Sequence, residues 1–505
     1  MSSDSLKNHV QKAFAWATLA AVFLPSIARS QDRRADRPNV LFLLADDQRA
    51  DTIAAWGNTH IRTPNIDSIV HRGFSFRNHY CFGSNSGAVC LPSRAMLMSG
   101  KTWLQIKNDL SGVETLPERL SKSGYAVFAT GKWHNGEASF VRSFPEARSV
   151  FFGGMADHRK VPIADVHDGK VVNRRVAEKF SSVEFADAAV EYLESRQTDD
   201  PFFCYVAFTA PHDPRDPPDS FKRMYYDNRP PLPDNYAPEP KFDNGLTVNV
   251  RDENLAPYPR TKEVISDQLC EYYGMITHLD EQVGRILAAL EKRGRTRNTI
   301  VIYSADHGLA IGSHGLLGKQ SLYEHSMKAP LVIAGPGIPA GRSTEAFTYH
   351  FDLFPTICDF AAVSPPESLA GFSLKPILTG EQTRIRDSIF LPYGNLMRSI
   401  RDDRWKLIVY PPINYRELFD LKNDPGETRN LADEPRNAEH VERLIALMKS
   451  WREKTGDRQP LEVDAPKSKD VSFKGFDRKP DPWQPDWIVK KYFQMKSTES
   501  SSNPN

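Results

Sequence analysis

Neither sign of charge is in excess in this sequence: 65 lysines and arginines face 64 aspartates and glutamates, a net charge of +1. A chain without a basic surplus has little to neutralise a phosphate backbone, so nucleic-acid binding is set aside. Long apolar runs are missing from the body of the chain, and a mean hydropathy of −0.50 excludes a polytopic membrane protein. Cysteine is scarce. Cys81, Cys90, Cys204, Cys270 and Cys358 are widely scattered and odd in number, so at least one stands outside any disulfide pairing. No internal repeat, Gly-rich nucleotide fingerprint or Asn-x-Ser/Thr acceptor occurs. The missing acceptor favours a bacterial periplasm over a glycosylating pathway. What remains is a 505-residue chain of ordinary globular composition, long enough for a large core.

The apolar stretch that does occur lies at the start. Lys7, His9 and Lys12 precede a run from Ala13 to Ile27, and Ala28-Arg29-Ser30 offers small residues where a signal peptidase reads. Residues 1–30 therefore read as a secretory leader, broken by Pro25 and short of the ~20 residues of a span. An exported protein, periplasmic or secreted, with no stable membrane span after cleavage is expected.

Beyond the leader, Asn39–Leu44, Phe202–Phe208, Thr299–Tyr303 and Leu331–Ile333 are continuous apolar runs, the pattern of strands buried on both faces. Helical periodicity separates them, over Pro64–His71, Thr115–Lys122, Val183–Ser195 and Ser266–Leu290. This alternation predicts an α/β fold with a large, mostly parallel sheet sandwiched by helices. After about Val363 the pattern changes to short strands near 388–393, 397–401, 406–410 and 417–421, closed by a helix from Ala438 to Glu453. The domain reading is a catalytic unit over 38–362, an antiparallel α+β subdomain over 363–456, and a tail over 457–505. Trp483 and Trp487 predict that part of the tail packs on the body. The Pro-rich stretch 229–259 reads as a long loop, and such loops commonly shape sites.

Chemistry concentrates at strand ends. Asp46-Asp47 and Asp306-His307 each follow a buried strand, where open α/β sheets bind ligands, and four such groups converging imply a divalent cation. The segment Cys90-Leu91-Pro92-Ser93-Arg94-Ala95-Met96-Leu97-Met98-Ser99-Gly100 resembles the first signature of the type I, formylglycine-dependent sulfatases, in the alkaline-phosphatase-like superfamily, at every specified position. Gly124-Tyr125 through Gly131-Lys132-Trp133-His134 resembles the second signature, and the acidic pairs follow in family order.

The resemblance implies a fold, a reaction and a set of roles. Cys90 is oxidised to formylglycine by a maturation enzyme; one hydroxyl of the hydrated aldehyde attacks sulfur, giving a formylglycine-sulfate ester, and the second hydroxyl expels sulfate. Arg94 and Lys132 orient position 90, and His134 takes a proton there. His212, in Ala210-Pro211-His212-Asp213-Pro214, and Lys319 serve the leaving oxygen, which as a sugar alkoxide needs protonation. Asp46, Asp47, Asp306 and His307, with position 90, ligate the cation. Calcium is the expected ion, with magnesium or manganese as alternatives. The family commonly carries Asn where this chain has His307, and an imidazole nitrogen favours manganese more than an all-oxygen set would. Asn135, His158 and Arg215 are candidates to line the mouth and bind substrate.

The leading reading is a sulfuric ester hydrolase acting on a sulfated carbohydrate. The rivals are an aryl or choline sulfatase, a phosphodiester or phosphonate hydrolase of the same superfamily, and a catalytically silent glycan-binding protein.

Overall fold

The computed structural model describes residues 37–247, 250–471 and 480–493. The leader read over residues 1–30 lies outside them, and no helix among the described residues is long and apolar enough to cross a membrane.

Eleven strands form one mixed sheet: β1 (Asn39–Ala45), β2 (Gly73–Tyr80), β3 (Ala126–Lys132), β4 (Ala147–Phe151), β5 (Pro162–His167), β6 (Lys170–Val176), β7 (Phe202–Ala207), β8 (Thr299–Ala305), β9 (Lys328–Ala329), β10 (Leu331–Ala334) and β11 (Arg342–Tyr349). Their order is β11-β2-β10-β8-β1-β7-β3-β4-β5-β6, with β9 beside β2. The centre, β8-β1-β7-β3-β4, is wholly parallel. All residues of β1, β7 and β8 are buried, as continuous apolar runs require when both faces are covered. Val40, Phe42 and Leu44 pack with Leu97, Met98, Leu353 and Phe354 on one face. Leu41 and Leu43 pack with Phe185, Ala189, Met275 and Leu279, from the helices Ser181–Ser195 and Lys262–Lys292, on the other.

Several strands have no apolar run to announce them. β2, Gly73–Tyr80, carries Ser75, Asn78 and His79, yet these are buried because their polar atoms find partners inside the sheet. Asn78 Nδ2 donates to the Glu345 carbonyl at 2.9 Å, and His79 Nδ1 lies 2.9 Å from Thr348 Oγ1. β5 and β6 form an antiparallel hairpin at the sheet edge, where exposed charge replaces the apolar run.

The C-terminal part forms a four-stranded antiparallel meander, β12 (Ile389–Tyr393), β13 (Met397–Arg401), β14 (Trp405–Tyr410) and β15 (Tyr415–Asp420), packed by the helix Ala438–Thr455. A buried ionic cluster joins it to the large sheet. Lys406 Nζ bonds Glu324 Oε1 at 3.0 Å and Glu427 Oε1 at 2.7 Å, while Arg401 reaches Glu324 Oε2 at 2.7 Å. Glu417 accepts from the hydroxyls of Tyr323 at 2.7 Å and Tyr410 at 2.8 Å. Of the tail tryptophans, Trp487 lies beneath Lys222, whose Nζ is 4.4 Å from the ring centroid, whereas Trp483 remains 46% exposed. The neighbouring Ile488 supplies the buried apolar contact instead.

Replacing Lys406 by Met would take from Glu427 the ammonium it pairs with, while Glu324 keeps Arg401 and Lys328. Removing one partner of a buried pair costs about 3–5 kcal/mol. Lys406→Met should therefore lower stability to chemical denaturation by that amount; an unchanged midpoint would contradict the interlocking role of the cluster.

Candidate active site

The parallel register sets the site. Ala45 pairs with Ala305, so Asp46-Asp47 and Asp306-His307 emerge side by side at the carboxyl ends of β1 and β8. β3, which ends in Lys132, pairs with β7 on the other side of β1. Beyond β7 the chain turns through His212. At Gly131 the backbone has a φ of 95°, and a Cβ would sit 1.9 Å from the Ala207 carbonyl oxygen, so only glycine allows β3 this approach to β7. Cys90 opens the helix Cys90–Ser99, which is anchored where Ser93 Oγ donates to the Asp306 carbonyl at 2.7 Å.

Around Asp46 the groups are tightly paired. Lys132 Nζ donates to Asp46 Oδ2 at 2.5 Å and lies 3.5 Å from Cys90 Sγ, while His134 Nδ1 lies 3.3 Å from the same sulfur. Arg94 donates from Nη1 to the Lys132 carbonyl at 2.9 Å and from Nε to Asp306 Oδ2 at 3.2 Å. Around Asp47 a second set gathers. Lys319 Nζ donates to both Asp47 oxygens at 2.9 Å and to His212 Nε2 at 3.0 Å.

Burial acts on every charge here. It opposes the ionised form of Asp306, but His307, Arg94 and Lys132 outweigh it and hold this carboxyl well below its ordinary range. Burial also pushes Asp47 up to about 8, aided by Asp46 and Asp306 against the pull of Lys319. Lys319 stays protonated because Asp47 and Asp252 overcome its own burial. His212 is driven well below its usual value by burial and by Lys319, and His134 is pushed down to about 3 by burial, Lys132 and Arg94. Two neutral imidazoles thus face two ammonium groups.

The donor set fits a divalent cation. One ligand atom each from Asp46, Cys90, Asp306 and His307 lies within 4.8 Å of the others. Asp46 Oδ1 and His307 Nε2 are buried without a hydrogen-bond partner, and such orphans are rare unless something else satisfies them. The tautomer agrees: His307 Nδ1 lies 3.0 Å from the Gly308 carbonyl, which leaves the Nε2 lone pair free. Asp47 Oδ1 lies 3.4 Å from His307 Nε2, at the edge of the same cage.

The fold brings together Asp46, Asp47, Cys90, Arg94, Lys132, His134, His212, Asp306, His307 and Lys319. Asn135, His158 and Arg215 each make contacts within the fold, while Asn135 Oδ1 and Arg215 Nε and Nη2 are buried without a hydrogen-bond partner. All three are buried. Asn135 Nδ2 donates to the carbonyls of Leu91 and Asn108 at 2.9 and 2.6 Å and braces the Cys90 helix. His158 stands behind His212, with Nε2 2.9 Å from its carbonyl and Nδ1 2.7 Å from Ser181 Oγ. Arg215 Nη1 donates to Gln268 Oε1 at 2.8 Å, and its guanidinium lies over the Tyr272 ring. Sequence adjacency to a signature marked these positions, but adjacency does not say which way a side chain turns.

Other contributors carry no motif. His350 Nε2 lies 2.6 Å from the Asp306 carbonyl, and the Tyr272 hydroxyl donates to the Asp47 carbonyl at 2.6 Å. Asp213, adjacent to His212, could have been found from that adjacency; Arg251 and Asp252 lie in the long loop with no local signal.

A family model described as Sulfatase matches residues 38–363, and one described as N-sulphoglucosamine sulphohydrolase, C-terminal, matches residues 312–454. The chain is 27% identical to an N-acetylglucosamine-6-O-sulfatase of Bacteroides thetaiotaomicron, covering 90% of this chain and 93% of that protein. It is 29% identical to a choline-sulfatase of Rhizobium meliloti, covering 79% and 83% of the two. A solved structure of a protein in complex with its substrate D-glucosamine-2-N,6-O-disulfate matches with a TM-score of 0.72 and 25% identity, over 84% of this chain and 99% of that one. The large mixed sheet with a smaller antiparallel sheet is the alkaline-phosphatase-like arrangement, and the chain belongs to the Sulfatase family of sulfuric ester hydrolases.

Proposed function

We propose that the chain releases sulfate from an O-sulfated carbohydrate, using Cys90 after its conversion to formylglycine. The observation that carries this reading is the division of the buried site into two proton-handling sets. Cys90 sits with Lys132 and His134 beside Asp46, and Lys319 sits with His212 beside Asp47. Similarity to an N-acetylglucosamine-6-O-sulfatase and to the glucosamine disulfate complex supports the choice of a carbohydrate. The leader over residues 1–30 would export the protein to the periplasm or beyond, and a formylglycine-generating enzyme would mature it.

Hydrated formylglycine supplies two geminal hydroxyls, one to take the sulfuryl group and one whose deprotonation frees it. Lys132, locked by Arg94 through its carbonyl, holds position 90 by its ammonium. His134, neutral and 3.3 Å from the position-90 side chain, accepts a proton there. On the Asp47 side, Lys319 carries a proton and donates to neutral His212, so the pair can deliver it to the leaving oxygen. A divalent cation in the cage of Asp46, Asp47, Asp306, His307 and position 90 would neutralise the carboxylates and polarise a sulfuryl oxygen. Calcium is the proposed ion, with magnesium the other hard cation in the comparison, and the free Nε2 lone pair of His307 keeps manganese in it as well.

Peptide mass mapping of active protein should show the Cys90 thiol replaced by an aldehyde or its hydrate. Full activity with an intact thiol would refute the assignment, and Cys90→Ala should abolish turnover.

Chelation should abolish activity and lower the melting temperature, and one of calcium, magnesium or manganese should restore both. A ligand that binds only the folded state adds about 2.7 kcal/mol at a hundredfold excess over Kd. Asp306→Asn should lose that ion-dependent increment; no ion effect on melting in the wild type would contradict the cage.

His212→Ala should cost about 10²–10⁴-fold on a carbohydrate sulfate, as expected of a positioned general acid, and much less on nitrophenyl sulfate, whose leaving group departs unaided. His134→Ala should slow both substrates alike. Equal losses for His212→Ala on the two would assign it to sulfate binding and leave protonation to Lys319.

A further inference from the structure

The long Pro-rich loop brings a guanidinium to the back of the leaving-group pair. Arg251 Nη2 bonds Asp213 Oδ2, Nη1 bonds Asp252 Oδ1 at 3.1 Å, and Nε donates to Asp481 Oδ2 at 2.8 Å. Asp213 Oδ1 lies 3.4 Å from His212 Nδ1, and Asp252 Oδ2 lies 3.7 Å from Lys319 Nζ. Since Lys319 Nζ also donates to His212 Nε2 at 3.0 Å, the contacts close on themselves: Arg251, Asp213, His212, Lys319, Asp252 and back to Arg251. Both groups that face the leaving oxygen are thereby held from behind by carboxylates that share one cation.

The third arm of Arg251 reaches the C-terminal segment. Asp481 belongs to the stretch 480–493, which docks through Gln484 Nε2 donating to the Leu255 carbonyl at 2.9 Å and through the buried side chain of Ile488. Lys491 pins its far end to Asp267 at 2.9 Å and Glu263 at 2.8 Å. The Arg251 side chain is 31% exposed, while those of Asp213, Asp252 and Asp481 are 4%, 8% and 7% exposed. A single arginine fork suits this task, because five donors fixed in one plane can satisfy three carboxylates that a lysine could not span.

We propose that Arg251 is a positioning residue that holds His212 and Lys319 in register, and that Asp481 of the C-terminal segment latches it. The inference rests on His212 and Lys319 acting at the leaving oxygen. Without Arg251, Asp213 can draw His212 Nδ1 from the Asp213 carbonyl it faces at 2.7 Å, and Asp252, left with Gln320 Nε2 at 2.8 Å, can draw the Lys319 ammonium from Asp47. Either shift moves a proton donor by about 1 Å, and a displacement of that size can cost about 10²-fold in rate.

The test uses the full chain with four substitutions, Arg251→Gln, Arg251→Lys, Asp481→Asn and Lys491→Ala, measuring kcat and KM on a carbohydrate sulfate and on nitrophenyl sulfate. Arg251→Gln should lower kcat on the carbohydrate sulfate by about 10²-fold, spare the aryl sulfate, and leave KM for both near wild type. Arg251→Lys should recover part of that loss, and Asp481→Asn should show the same pattern at about threefold, as fits a partly solvent-screened bond. Lys491→Ala cuts the same segment's docking away from Arg251 and should behave as wild type. A raised KM with unchanged kcat would place Arg251 on the substrate and overturn the proposal, as would equal kcat losses on the two substrates. If Arg251→Gln does not fold, Arg251→Lys and Asp481→Asn decide the matter by the same substrate pattern. Failure of the leaving-group reading is recognised separately, because His212→Ala itself would then lose the two activities equally. The positioning role fails alone when His212→Ala discriminates between substrates and the Arg251 and Asp481 variants do not.

Discussion

Burying three carboxylates at the ends of adjacent parallel strands is the constraint from which the rest of the site follows. Asp46, Asp47 and Asp306 are all almost fully buried, and an uncompensated buried charge costs several kcal/mol. Each therefore recruits a cation from elsewhere in the chain: Lys132 from the end of β3, Arg94 from the Cys90 helix, and Lys319 from the segment before β9. The compensation is uneven. Asp306 is over-stabilised while Asp47 is pushed up to about 8 by burial and its acidic neighbours. The orphaned Asp46 Oδ1 and His307 Nε2 mark the place for one more positive charge.

The same arrangement separates two sets of short contacts. On the Asp46 side the short distances run to position 90, and on the Asp47 side they run between Lys319 and His212. Two of the residues involved hold backbone conformations that non-glycine residues rarely adopt, Asp47 at φ 66° and His134 at φ 73°. Such strain costs about 1–3 kcal/mol per residue and persists only where the surroundings over-determine it. At Asp47 the determinants are visible: its N–H donates to Asp306 Oδ1 at 3.0 Å and its carbonyl accepts from Tyr272. At His134 the room comes from Gly154, where a Cβ would stand 2.5 Å from the imidazole.

Much of this was legible in the amino-acid order, for identifiable reasons. β1, β7 and β8 are buried on both faces, so their apolar runs are unbroken and the charged residues just beyond them stand out. The Cys90–Gly100 segment was legible through its resemblance to the first sulfatase signature, and in the fold it is a helix that opens at Cys90 and carries the buried Arg94. β2 escaped because its Asn and His are satisfied by other strands, which local sequence cannot report. Asn135, His158 and Arg215 were legible as neighbours of the site, but their contacts with Asn108, Ser181 and Gln268, each distant in sequence, were not. Arg251, Asp252 and Asp481 come from the long loop and the tail, and only the folded chain brings them together.

Sulfuryl transfer from a sugar oxygen is the work proposed for these paired clusters. Its most direct measurement is release of inorganic sulfate and phosphate by the mature, cation-loaded protein from one panel containing glucosamine O- and N-sulfates, choline sulfate, nitrophenyl sulfate, a phosphate diester and a phosphonate monoester. Among these, kcat/KM is expected to be highest for an O-sulfated sugar despite its poor leaving group. Faster turnover of the phosphonate or the diester than of every sugar sulfate would contradict it.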